Sequence, residues 1–282
     1  MNDAGRVSVD EAIRAAAARL SATSDTARLD AELLMAHALG VSRSDMLLRA
    51  MRDHAPEAFG ALVERRSRHE PVAYIIGVQE FYGREFAVEP GVLIPRGDSE
   101  TLIEAALEAA PGARRVLDLG TGSGALLLTA LLELPGAQGI GIDASPTAVR
   151  ASGRNARSLG LGVRAMILLR DWREAGWASE LGTFDLILCN PPYVEQDAAL
   201  DPSVRDHEPA SALFSGPEGL DDYRVLIPQL RALMGDNAVA VLEIGASQAD
   251  SVSQIAETCG FSVEMSLDLA KRPRALILSW QK

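Results

Sequence analysis

Cysteine, lysine and net positive charge are all scarce in this chain, and so are long apolar runs. The only two cysteines, Cys189 and Cys259, both lie in apolar stretches. That suits ordinary core thiols in a reducing compartment and excludes a disulfide scaffold. The four histidines and two cysteines show no metal-ligand spacing, so no structural metal is expected. No 18 consecutive residues are uninterrupted and apolar, and the N-terminus has no continuous apolar leader core, so a cytoplasmic protein without membrane contact is expected. Lysine occurs only at 271 and 282 while arginine and alanine abound, which reads as coding bias. The formal net charge of -12 argues against a duplex-binding enzyme, whose affinity rests on phosphate contacts. "ERRSRHE" (Glu64–Glu70) then reads as a solvated helix end, with a partner-binding patch as the sharper alternative.

What remains is a chain of 282 residues, long enough for a large and a small domain. Residues 1–70 read as helices only. "SVDEAIRAAAARL" offers Ser8 and Glu11 as a capping box. "SDTARLDAELLMAHALG" places Leu29, Leu33 and Leu34 at helical spacing and stops at Gly40. Pro71 is expected to end this bundle, whose role is either a folding cap or a module for recognising the substrate. In residues 71–90, "VAYIIGVQEFYGREFAV" predicts two strands folded about a short turn, a β-hairpin linker.

From residue 91 to 282 strands and helices alternate. Strands are predicted at Arg115–Leu119, Gly139–Asp143, Val163–Leu168, Asp185–Asn190, Ala238–Ile244, Ser262–Leu267 and Arg274–Ser279. Helices are predicted over 99–110, 124–134, 146–159, 221–234 and 248–259. The fold class is therefore α/β, with a mostly parallel sheet of seven strands covered on both faces. The last two strands are too close in sequence for a crossover and must run antiparallel to each other.

"VLDLGTGSGALLL" is a strand, a glycine turn and a helix start. Gly120, Gly122 and Gly124 allow a tight turn and close approach of a ligand, Thr121 lies within that turn, and Ser123 is placed to cap the helix. The G-x-G-x-G spacing fits a single nucleoside better than a pyrophosphate. Asp143 closes the next strand, where a carboxylate takes two ribose hydroxyls; the alternative is a cap for the helix at Pro146. Asp171 and Trp172 close the third strand, suited to an exocyclic amine and an adenine ring, with plain packing as the other reading of Trp172.

The fourth strand ends in "CNPPYV". Proline has no N–H for a ladder, and a residue before proline is pushed out of the helical region, so Asn190 and Pro191 are held extended. The strand end is stiff, and its carbonyls lack a regular partner. With the glycine turn, this tetrapeptide resembles the Rossmann-like class I S-adenosylmethionine-dependent methyltransferases that act on a nitrogen conjugated to a π-system. "LIPRGDSE", "LDLGTGSGA", "NPPYV", "VRDHEPASALFSGPEGLDDYR" and "LEIGASQ" further resemble the protein-(glutamine-N5) methyltransferases, in particular those acting on peptide chain release factors.

The resemblance implies S-adenosyl-L-methionine as cofactor, S-adenosyl-L-homocysteine as product, and a small helical domain, a β-hairpin linker and a methyltransferase domain. It implies that the substrate is the glutamine of the Gly-Gly-Gln loop of release factors, in translation termination, and that Asn190, Pro191, Pro192 and Tyr193 grip that side chain, with Tyr193 stacking on it. A monomer without nucleic-acid contact is expected. Gly97, His207 and Lys271 depart from the family's usual residues, and Arg96, Glu100, Arg205 and Glu208 have either a supporting or an ion-pairing role. A ribosomal-protein glutamine methyltransferase, a DNA adenine-N6 methyltransferase and a binding module without turnover are the alternatives.

Overall fold

Short apolar runs alternating with amphipathic helices can bury their backbone polar groups only by pairing side by side under helical cover. In the computed structural model, which describes residues 7–280, they do so. The strands are β1 (Val78–Phe81), β2 (Arg84–Ala87), β3 (Arg115–Leu119), β4 (Gln138–Asp143), β5 (Ala165–Leu169), β6 (Phe184–Cys189), β7 (Met234–Glu243), β8 (Phe261–Leu267) and β9 (Pro273–Trp280). The first two form a hairpin and the other seven one sheet, in the order β5-β4-β3-β6-β7-β9-β8. β3 to β7 pair in parallel, and β9 runs antiparallel to both β7 and β8.

Side chains alternate across each strand. Val116, Leu186 and Leu188 therefore join the core on one face, while Leu117, Leu119, Ile187 and Cys189 join the core on the other. The strand order reverses around β3, whose neighbours are β4 and β6. Open α/β sheets bind ligands at the carboxyl ends of such strands. The sheet is thus built to open a crevice where the glycine turn and the tetrapeptide both emerge.

The chain divides into two compact units, one formed by residues up to Val78 together with Leu200–His207, the other by Gln79–Ala199 and Glu208 onward. The termini of the expected segments, residues 1–6 and 281–282, lie outside the described residues. In the helical unit, Ser8 and Glu11 form the capping box in both directions, and Gly40 ends Ala27–Leu39 in the left-handed conformation. Ile13, Leu20, Leu34, Met35 and Met46 fill its core. Leu29 is 41% exposed while Asp30 and Glu32 are buried. The Asp30 carboxylate accepts from Arg66 Nε at 2.6 Å, and this pairing turns the helix so that Leu29 faces out.

Val72–Ile76 is a helix and not the first strand of a hairpin. Pro71 holds φ at -58°, ready for a helical first turn, and Gly77 at φ 81° ends it. Burial of Ala73, Tyr74 and Ile75 overrides the β-branched composition, so Pro71 opens a further helix where it was expected to end the bundle. Lys271 has φ 61°, a conformation that costs a side chain about 1–2 kcal/mol and that glycine adopts freely.

Candidate active site

The glycine turn is shaped by its own backbone. Gly120, Gly122 and Gly124 have φ of 75°, 55° and 86°. A Cβ at Gly120 would lie 3.2 Å from the Trp172 ring, and one at Gly124 would lie 2.9 Å from Leu128 Cδ1. The N–H groups of Gly120 and Thr121 both donate to the Ile142 carbonyl, at 3.0 and 2.8 Å, stitching the turn to β4. Asp143 accepts from Gly122 N at 2.9 Å through one oxygen and from Ser145 N at 2.8 Å through the other. It steadies both turns while still lining the cavity. Burial pushes its carboxyl up, and the two N–H bonds pull it back.

Beneath the turn, Asp118 accepts from the Thr121 hydroxyl at 2.7 Å, and its other oxygen has no side-chain partner among the described residues. Burial pushes Asp118 up to about 7 against the Thr121 bond, and the neighbouring Asp143 charge adds to the rise. Ser123 does not cap the helix: Gly124 is the N-cap residue of Ala125–Glu133 and no side chain caps it. Ser123 stands one residue too early, buried, with its carbonyl accepting from Asn155 Nδ2 at 2.8 Å.

A cavity of about 400 Å³ opens over the carboxyl ends of β3, β4 and β6, within the size range of small-molecule sites. The structure brings Gly120, Thr121, Gly122, Ser123, Asp143, Asp171, Trp172, Asn190 and Pro192 to its wall, together with Leu93–Arg96 and Ser99. Gly124, Pro191 and Tyr193 are not part of that wall. Asn190 Nδ2 donates to Ser99 Oγ at 3.4 Å. Among the described residues no hydrogen bond engages Asn190 Oδ1 or the Pro191 carbonyl. Tyr193 packs against the sheet core and donates its hydroxyl to Glu243 Oε1 at 3.2 Å. Burial, and then the Glu243 charge, push its phenol well up.

Several supporting residues carry no signal beyond their type. Asp222 is fully buried and accepts from Trp172 Nε1 at 3.1 Å, Arg173 Nη2 at 2.6 Å and the Ser215 hydroxyl at 2.8 Å, so it sets the indole plane against the glycine turn. Asn155 bonds both the N–H and the carbonyl of Ala87, tying the end of β2 to the turn. Glu208 pairs with Arg96 and accepts from Ile94 N at 3.2 Å, joining two loops of the cavity wall. Glu100 accepts from Tyr82 N at 2.8 Å, Arg205 pairs with Asp206 on the surface, and His207 Nε2 lies 3.3 Å from the Arg68 carbonyl. A charge inside an apolar strand, as in "VLDL" and "AVLEIG", was the available clue to Asp118 and Glu243.

Among the described residues no cluster of His, Cys, Asp and Glu is arranged to hold a metal, and no helix is long and apolar enough to cross a membrane. Residues 11–77 match the family described as PrmC N-terminal domain, and residues 112–214 match a methyltransferase domain. The release factor glutamine methyltransferase of Rhodospirillum rubrum is 43% identical over 89% of this chain and 78% of its own length. That of Cereibacter sphaeroides is 41% identical over 94% of this chain and 95% of its own, and that of Geobacter sulfurreducens 39% identical over 84% of each. Among solved structures the chain is similar to a ribosomal protein L11 methylase from Lactobacillus delbrueckii subsp. bulgaricus, at 22% identity and TM-score 0.48, over 69% of this chain and 84% of that one. With relatives this similar along nearly the whole chain, and both family models matched in order, the chain belongs to the release factor glutamine methyltransferases.

Proposed function

We propose that this chain transfers a methyl group from S-adenosyl-L-methionine to the side-chain amide nitrogen of the glutamine in the Gly-Gly-Gln loop of peptide chain release factors. The observation that carries this reading is a pair of unengaged acceptors, Asn190 Oδ1 and the Pro191 carbonyl, at a strand end beside a glycine turn. The cofactor suits the residues present. Gly120 has no Cβ to fill the approach to the Trp172 ring, Asp143 keeps lone pairs for vicinal hydroxyls, and the G-x-G-x-G spacing fits a single nucleoside better than a pyrophosphate. When bound, the cofactor supplies an electrophilic methyl on a sulfonium and leaves as a neutral thioether.

An amide nitrogen is a poor nucleophile because its lone pair is delocalised into the carbonyl. Asn190 Oδ1 and the Pro191 carbonyl each accept one hydrogen of the substrate NH₂, holding the nitrogen in line and leaving its lone pair freer to attack. Two fixed acceptors also stabilise the positive charge that grows on nitrogen, in a site that needs no reorganisation at the moment of reaction, and the nitrogen gives up one of its two protons to solvent after the methyl has moved. Pro191 and Pro192 keep the strand end from relaxing into the sheet. Tyr193 acts from behind, as a strut to Glu243. The protein works in the cytoplasm as a monomer, and its net charge of -12 disfavours a nucleic-acid substrate.

The test mixes the protein with methyl-labelled S-adenosylmethionine and a purified release factor, beside a release factor whose loop glutamine is replaced. Label confined to the intact loop supports the reading. Label on both factors, or on neither, overturns it.

A further inference from the structure

We propose that Glu243 is a positioning residue that, through the Ser99 hydroxyl, sets which way the Asn190 carboxamide faces, and through the Tyr193 hydroxyl anchors the far end of the tetrapeptide. This rests on Asn190 being the group that receives the substrate amide. Glu243 ends β7 and is 1% exposed. Its Oε1 accepts from Tyr193 at 3.2 Å, yet its buried Oε2 has no hydrogen-bond partner among the described residues. Folded proteins seldom leave such an oxygen idle. The side chain beside it that steadies its charged form is Ser99, itself buried, whose Oγ accepts from Asn190 Nδ2 at 3.4 Å. Among the described residues the Ser99 hydroxyl donates to no group, and in the proposed relay it turns its proton to that idle oxygen, so that one carboxylate holds Tyr193 directly and Asn190 through one hydroxyl.

The direction of that relay follows from proton counting. An ionised carboxylate only accepts, and a serine hydroxyl has a single proton to give. With Glu243 charged, Ser99 turns its proton to Glu243 and offers its lone pairs to the Asn190 NH₂. Asn190 Oδ1 is then left facing the cavity, as an acceptor for the substrate amide. With Glu243 neutral, its own proton can go to Ser99. The Ser99 proton is then free to point at Asn190, and the carboxamide loses its reason to present oxygen.

The groups around Glu243 hold it near this balance. Burial raises its carboxyl to about 7, the Ser99 hydroxyl, the Arg274 guanidinium and the Tyr193 hydroxyl lower it, and the Asp98 charge raises it. Arg274 is shared with Asp98 at 2.8 Å and lies 3.7 Å from Asp268. Cys189 and Tyr223 also face this carboxylate, and the Tyr223 hydroxyl donates to the Glu243 backbone carbonyl at 2.6 Å.

Two measurements on the full chain test the relay. In the first, Glu243→Gln, Ser99→Ala and the double variant are assayed with release factor. Each single variant is expected to lose at least tenfold in kcat, with KM for the release factor and affinity for S-adenosylhomocysteine within twofold of wild type. The double variant should fall short of the product of the two losses, because both changes cut one relay. Wild-type kcat should rise with pH through about 7, and Ser99→Ala should flatten that rise. Wild-type kcat in Glu243→Gln, fully multiplicative losses, or an unflattened profile would each overturn the proposal.

The second measurement needs no substrate. The Asn190 side-chain NH₂ signals in the ¹⁵N spectrum, assigned by their loss in Asn190→Asp, should shift with a midpoint near pH 7 in wild type and stay put in Glu243→Gln. A shift that survives Glu243→Gln overturns the relay, whatever the enzyme methylates. A relay seen in the spectrum without methyl transfer to release factor would instead overturn the substrate assignment alone.

Discussion

On the side of the cavity that the proposed reading gives to the nucleoside, contacts run to the backbone and turn of the adjacent strand, whereas on the proposed acceptor side they run between side chains far apart in sequence. Gly120, Thr121 and Gly122 are held by the Ile142 carbonyl and the Asp143 carboxylate of the adjacent parallel strand. Asn190 and Ser99, by contrast, are 91 positions apart, and Tyr193 and Glu243 are 50 apart. The first half is set by conformation, since glycine stands at three alternate left-handed positions there, a backbone region that favours it. The second half is set by satisfaction of buried polar groups, which exists only once the whole sheet has formed. A substitution in the first half should therefore act on cofactor binding, and one in the second on turnover.

Asn190→Ala tests this division most severely. If Asn190 is one of the two acceptors proposed above, its deletion should cost ~10²–10³ in single-turnover rate, by analogy with the loss of one donor from an oxyanion hole. S-adenosylhomocysteine affinity, read by calorimetry, should stay within a fewfold of wild type; a parallel loss of both would erase the distinction between the halves. Asp222→Ala comes next, because Asp222 spans the division by holding Trp172 in place. It leaves the Trp172 and Ser215 donors unpaired while Arg173, half exposed, can turn to water. The expected loss is about 1–3 kcal/mol of stability, with weaker cofactor binding. An unchanged melting temperature would show that the indole needs no such anchor. Gly120→Ala places a side chain at φ 75° against Trp172. The strain of about 1–2 kcal/mol should weaken cofactor binding roughly tenfold. Turnover at saturating cofactor should recover, and a failure to recover would place Gly120 in the acceptor half as well.

The same division explains how far the molecule was legible in its sequence. The sheet, its antiparallel last pair and the glycine turn follow from residue periodicity and from glycine spacing, which are local properties. Asn190 stood out because two prolines after an apolar run are a local anomaly. Ser99 and Asp222 did not, because a serine and an acid in a helix's first turn are common, and Glu243 left only the clue of a charge in an apolar strand; the partners of all three lie far along the chain. Tyr193 was expected to face the substrate group. Its proximity to Asn190 in sequence said nothing of the buried carboxylate that draws its hydroxyl away from the cavity wall. Val72–Ile76 misled for the opposite reason: its composition favours a strand, while Pro71, Gly77 and burial in the helical core decide for a helix.

The mildest expected effect concerns pH, and it sets one buried acid of each half side by side. Asp118 and Glu243 have ordinary values of 3.8 and 4.5, and burial raises each to about 7 in the folded chain. Between these limits the folded state holds protons that the unfolded state has released, so stability falls as pH rises. The contribution of each group is fully present below its unfolded value and is lost by the time pH passes about 7. The slope is at most about 1.4 kcal/mol per pH unit for each group. Melting temperature should therefore decline from pH 5 to pH 8, and Asp118→Asn and Glu243→Gln, which mimic the neutral acids, should each flatten part of that decline. The two should differ in activity. Asp118→Asn leaves the acceptor relay intact and should keep the rise of kcat through pH 7, while Glu243→Gln should lose it. If both variants flatten the activity profile alike, the ionisation that matters is shared across the cavity, and the separation of its halves does not hold.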